Sequence, residues 1–247
     1  MPHRPTPKSS FARYIGIDYS GAQVATASLP GLRVYMAYPS DPPVEVTPPP
    51  SPRKYWSRRG IAEWLEARLS EDIPTLVGID HGFSFPVLYF EKYSLALDWP
   101  AFLEGFEQHR SDRSGDPAWK RLAENRTRTA KSVFRFNVHG TVAHSTHEGL
   151  PWLLYLRQRL RERIHFWPFD GWTVPPGRSV LAEVYPSLWS KTFPNLGRTQ
   201  DQHDAWSIAE WMRQNDATGM LQTWFHPNLT PEERRIAEIE GWILGVV

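Results

Sequence analysis

Apolar positions along this chain fall into two patterns, short continuous runs and longer stretches in which they recur three and four residues apart. Tyr14-Ile-Gly-Ile-Asp18 and Thr75-Leu-Val-Gly-Ile-Asp80 are continuous, of strand length, and close on a carboxylate, and Ser179-Val-Leu-Ala-Glu183-Val-Tyr185-Pro186 is a third run of strand length that carries one carboxylate. Residues 23–29 and 32–38, joined at Pro30-Gly31, read as two more strands, which makes the first three strands an antiparallel meander. The helical spacing appears in Arg58–Leu69 through Ile61, Trp64, Leu65 and Leu69, and again over residues 100–110, 148–164 and 201–212. Thr230-Pro231-Glu232-Glu233 has the form of a capping box with proline at the first helical position, so a final helix runs to about Glu240. The apolar tail 241–247 is expected to fold back onto the core. These elements predict an α/β protein: a mixed five-stranded sheet, meander plus parallel strands, flanked by helices.

Between the periodic segments, residues 39–52 hold seven prolines in fourteen positions, which predicts an exposed, partly extended connection. Residues 1–10 are polar and proline-rich and read as a disordered leader. Residues 11–247 then suit one domain, with a basic helical and loop insertion over 100–165. At 247 residues with a net charge of +1, the overall balance favours neither a polyanion partner nor an acidic tail, so any electrostatic function has to be local. Cysteine is absent, which removes disulfides and thiolate metal sites. No run approaches the ~20 apolar residues of a spanning helix. The expectation is a soluble cytoplasmic protein without a membrane partner.

The chemistry lies in the acids. On the helix over 201–212 the apolar stripe is Ala205, Ile208, Ala209 and Met212, and extending it backwards lands on Asp204 and Asp201. Either acid could instead cap the helix, where it would meet the positive end of the macrodipole. Asp18, Asp80 and Glu183 stand at the carboxyl ends of strands, the edge along which open α/β sheets bind ligands. Acids gathered without a cation repel one another. Hard oxygen-only donors suit Mg²⁺ or Mn²⁺, and two such ions about 3.5–4 Å apart can clamp the attacking and leaving oxygens of a phosphodiester. Over residues 110–135 eight cations face three acids, so Lys120, Arg121, Arg126, Arg128 and Lys131, joined by Lys191 and Arg198, are candidates for gripping phosphates. The same run also reads as a solvated basic face. His139, His144 and His147 have neither the HExxH nor the zinc-finger spacing.

The order of elements resembles the ribonuclease H-like fold. Gly16-Ile-Asp18-Tyr-Ser-Gly21, Gly78-Ile-Asp80, Glu183-Val-Tyr-Pro186 and Asp201-x-x-Asp204-Ala205 resemble the motifs of the predicted-nuclease family known as domain of unknown function 429. The acid-headed helix is also similar to that of Holliday-junction resolvases. The resemblance implies a metal-dependent nuclease acting on DNA or RNA, with Asp18 as bridging metal ligand, Asp80 as the ligand on the neighbouring strand, Asp201 and Asp204 as helix ligands, and Glu183 as a further ligand or outer support. His81-Gly82-Phe83 departs from that pattern, which has an Ile-Pro type segment there. Two other functions compete. Gly16 to Gly21 faintly resembles the first phosphate loop of sugar-kinase-like ATPases, and the proline-rich loop with its tryptophans suits a non-catalytic binding module.

Overall fold

Six strands form one mixed sheet in the computed structural model, which describes residues 9–21, 26–49, 53–109, 115–127, 129–137 and 142–247. In chain order they are β1 (Arg13–Tyr19), β2 (Leu32–Tyr38), β3 (Asp41–Glu45), β4 (Thr75–Asp80), β5 (Ile164–Trp167) and β6 (Ser179–Glu183), and they lie side by side as β3-β2-β1-β4-β6-β5. The first three are antiparallel, and β4, β6 and β5 continue beyond β1 as parallel strands. The helices are α1 (Arg58–Leu69), α2 (Val87–Lys92), α3 (Trp99–His109), α4 (Leu122–Arg126), α5 (Val142–Leu160), α6 (Gln200–Ala217), α7 (Leu221–Phe225) and α8 (Pro231–Glu240).

Two strands differ from the sequence reading. Residues 26–29 are not a strand, 23–25 lie outside the described residues, and the third meander strand is β3, inside the proline-rich stretch. Its Pro42 and Pro43 are tolerated because β3 is an edge strand, where one missing N–H faces no partner, and because its pairing with β2 is irregular between Met36 and Tyr38, beside the prolines. The sixth strand is β5, four buried residues that follow α5 after a single 3₁₀ turn. Its apolar residues look like a continuation of the helical pattern, and only pairing with β6 makes them a strand. α5 begins at Val142 rather than Glu148, with Pro151 inside it, and α2, α4 and α7 are too short to show a period. Residues 1–8 lie outside the described residues, while the Ser10 and Phe11 amides donate to Asp216 at the end of α6.

Alternation along β1 and β4 sorts their side chains between two layers. Ile15, Ile17, Val77 and Ile79 join the core under α1, α3 and α5, whereas Tyr14 and Leu76 face the layer formed by α6, α7 and the C-terminal tail. Gly16 and Gly78 are on that second face, and so are Asp18 and Asp80, two residues further on. A Cβ on Gly16 would stand 2.2 Å from the Ala205 carbonyl oxygen and 2.6 Å from the Ala209 nitrogen, and one on Gly78 would stand 2.7 Å from Ile208 Cγ2. The two glycines therefore let α6 lie directly against the sheet. Gly16→Ala is expected to cost about 2–3 kcal/mol, read as a fall in the urea midpoint, because the obstructing atoms are backbone and cannot rotate away. An unchanged midpoint would refute this contact.

The C-terminal tail closes the same layer. Trp242 and Leu244 are fully buried, and the Leu244 amide donates to the Glu183 carbonyl at 2.9 Å.

Candidate active site

Three local features deliver the acids. In the parallel register of β1 and β4, Gly16 pairs with Gly78 and Asp18 with Asp80, so the two carboxylates leave adjacent strands on the α6 side. Helix α6 begins immediately above them. Its N-cap is Thr199, whose hydroxyl accepts from the Gln202 amide while the Gln202 side chain accepts from the Thr199 amide. Because Thr199 does the capping, Asp201 and Asp204 are left for other work. Gln202 also donates to Glu45 on β3 at 2.9 Å, and Glu45 pairs with Arg33 at 3.0 Å, which ties the start of α6 to the sheet edge.

Asp18, Asp80, Asp201 and Asp204 line one cavity of about 310 Å³, together with Ser20 and Tyr185. Asp18 is only 2% exposed, and its Oδ1 accepts from the Ser20 amide at 2.9 Å and from the Ser20 hydroxyl. Burial pushes its carboxyl up to about 8; the charges of Asp201 and Asp204 add to the rise and the Ser20 hydrogen bonds oppose it. Asp80 is raised well above the usual carboxylate range, first by burial and then by Asp18, Asp204 and Glu183. Asp201 is raised by burial and by Asp204, with Arg33 working the other way. Asp204 accepts from Gln200 Nε2 at 2.9 Å.

Glu183 has a different place. The buried Arg121 guanidinium grips it with both terminal nitrogens, Nη1 to Oε2 at 2.7 Å and Nη2 to Oε1 at 2.5 Å, and the Phe83 amide donates to the same Oε2 at 3.0 Å. Arg121 also donates from Nε to Glu124 at 2.8 Å and from Nη1 to the Glu240 carbonyl. With both groups buried and mutually engaged, Glu183 is a support beneath the β4 and β6 ends rather than an open ligand, and Arg121 is no phosphate grip. The Arg121 to Glu124 spacing of three residues is the one sequence signal for this.

The other expected phosphate contacts are dispersed. Lys120 donates to the Ala130 carbonyl, Arg126 pairs with Glu233, and Arg198 stacks on Trp206 with 4.1 Å from Cζ to the ring centroid. Lys191 is exposed, and Lys131 lines a second cavity beside the acids. Arg128 lies outside the described residues, as do Arg110, Arg113 and His139. His144 packs edge-on to Phe136, and His147 is buried among Phe85, Phe106, Phe134 and Phe136. His81 follows Asp80, lies between the Tyr19 and Phe83 rings with Nδ1 2.8 Å from the Gly82 carbonyl, and is held neutral because burial lowers it to about 3. It fills space up to Gly149, which explains why a bulky ring follows the β4 acid. Ser20 and Tyr185 lie inside the Gly16 to Gly21 and Glu183 to Pro186 motifs and Gln200 adjoins Asp201, whereas Arg33 reaches the site only through the pairing of β2 with β1, opposite Asp18.

Among the described residues no three Asp, Glu or His side chains converge into a ready-made metal cluster. The donors fit a hard divalent cation in kind: they are all oxygen, two come from adjacent strand ends, and burial and neighbouring carboxylates raise Asp18 and Asp80 toward the protonated form. No helix among the described residues is long and apolar enough to cross a membrane. Comparison with protein-family models, with curated proteins and with solved structures finds no match to this chain.

Proposed function

We propose that this protein is a metal-dependent nuclease with a ribonuclease H-like fold, hydrolysing phosphodiester bonds of DNA or RNA in the cleft beside β1, β4 and α6. The observation that carries the proposal is the meeting of Asp18, Asp80, Asp201 and Asp204 on one cavity, although their sequence positions span most of the chain. A meander followed by parallel strands added on the far side of β1 supports the fold assignment. Asp18 and Asp80 are the strand ligands for Mg²⁺ or Mn²⁺, and Asp201 and Asp204 are the helix ligands. When bound, such an ion lowers the pKa of a water and neutralises developing charge on phosphate oxygens. The protein's own part is to hold the acids in place. Ser20 orients Asp18, Gln200 orients Asp204, and the Glu45 to Gln202 bond fixes the helix start.

Saturating Mn²⁺ is expected to stabilise the protein by about 2–3 kcal/mol, the linkage value near a hundred times Kd. For a chain of this size that is a rise in Tm of roughly 5–10 °C. EDTA should reverse it and Asp80→Asn should remove it, as read by differential scanning fluorimetry. The companion assay is Mn²⁺-dependent cleavage of labelled DNA and RNA. A protein whose melting ignores Mn²⁺ and which cleaves neither substrate is not this enzyme.

A further inference from the structure

A second cavity of about 80 Å³ adjoins the acid cleft, and the two share Asp80, Val142 and Tyr185 in their walls. Its sides are aliphatic, from Ala130, Val142, Val184 and Ile243, and its floor is the Arg121–Glu183 pair, whose charges already satisfy each other. The volume is several times the roughly 10–15 Å³ that holds one water, room for part of a planar ring and not for a whole nucleotide. One cation in its wall remains available: among the described residues Lys131 makes no hydrogen bond or ion pair. The segment that presents it is nonetheless fastened. Lys120 Nζ donates to the Ala130 carbonyl at 2.9 Å, the Ser132 hydroxyl is bonded to the Trp119 carbonyl, and the Tyr185 hydroxyl reaches Thr129 Oγ1 at 3.3 Å.

We infer that this slot receives the base of an unpaired nucleotide whose phosphate lies across the acids, with Lys131 meeting the adjacent phosphate and Tyr185 offering a stacking face. The substrate class is therefore single-stranded nucleic acid or a frayed strand end. A base inside a duplex has both faces stacked and its pairing edge occupied, so it cannot enter a side cavity without first leaving the helix. Single strands are held without reading their sequence by an aromatic face for the base and a cation for the backbone, and Tyr185 and Lys131 are the residues of those kinds in the wall of this slot. This inference rests on the nuclease reading for the path of the phosphate.

The test uses the full chain and fluorescence anisotropy in Ca²⁺ buffer, with labelled oligothymidylate and its duplex with oligoadenylate as probes. The single strand is expected to bind at least about tenfold more tightly than the duplex. Ala130→Phe, which fills the slot, should weaken single-strand binding about tenfold and leave duplex binding unchanged. Lys131→Met, a surface change that leaves folding intact, should lower the salt slope by about one. Equal affinity for the two probes, or single-strand binding that neither variant alters, overturns the inference. Because binding is measured apart from cleavage, the two readings fail separately. A slot-dependent single-strand preference without Mn²⁺-dependent hydrolysis keeps the slot and removes the nuclease, and duplex cleavage that both variants leave intact does the reverse.

Discussion

Asp18→Asn is expected to lower Mn²⁺-dependent cleavage by roughly a thousandfold, about 4 kcal/mol of transition-state stabilisation, and at the same time to make the cation-free protein more stable. The two effects have one cause. Asp18 is buried beside Asp201 and Asp204, and in the folded protein its carboxyl is raised from an ordinary 3.8 to about 8. A group whose folded pKa exceeds its unfolded value supports the fold fully below the unfolded pKa, and that support is lost as pH rises through the folded one. Between about pH 4 and pH 8 the wild-type protein therefore loses stability in EDTA. The asparagine variant should lose less, because position 18 no longer has a proton to lose while Asp80 and Asp201 still do, and its Oδ1 still accepts from the Ser20 amide and hydroxyl. Urea melts at about pH 5 and about pH 8 read the difference. The variant's advantage should grow by about 3–4 kcal/mol from the lower pH to the higher, at about 1.4 kcal/mol per pH unit between the two pKa values. Full activity in Asp18→Asn would sink the site assignment, and a pH-independent stability gap would sink the electrostatic account.

Arg121→Met has the opposite sign. The guanidinium is 1% exposed and is bonded to Glu183, to Glu124 and to the Glu240 carbonyl. Its removal leaves two buried carboxylates facing each other without a cation, at a cost of about 3–5 kcal/mol. That corresponds to a fall in Tm of roughly 10 °C or more for a chain of this length. Burial already raises Glu124 despite its partner, so the loss should shrink as pH falls and the acids take up protons. Glu183→Gln placed in the Arg121→Met background should recover part of the stability, since it removes one of the stranded charges, and a double-mutant cycle measures the coupling. A variant that melts like wild type would mean that Arg121 is free for a ligand after all.

The strand that ends in an acid was legible wherever the run was continuous and apolar. β4 is Thr75–Asp80 and α1 has the bounds its stripe predicts, while β6 takes only Ser179–Glu183 of the apolar run that continues to Pro186. The meander was legible in number but not in membership. β3 has two prolines and alternates poorly, and it is a strand because Tyr35 and Met36 on β2 supply its partners. β5 is four residues long, too short for any period to register. The basic stretch misled in a different way. Charge counting treats Arg121 like its neighbours, although among the described residues of that stretch it is the one cation sealed under α8 and the tail.

By itself the sequence determined which acids stand at strand ends and at the head of a helix, because strand ends, helix stripes and caps are local: each is set by neighbours within a turn or a strand length. The tertiary structure alone decided which of those residues work together. Gly16 and Gly78 admit α6 against the sheet, and this brings Asp201 and Asp204 over Asp18 and Asp80. Arg121 meanwhile reaches across 62 positions to take Glu183 out of that group. A carboxylate's role depends on burial and on the charge beside it, and both come from parts of the chain far apart in sequence.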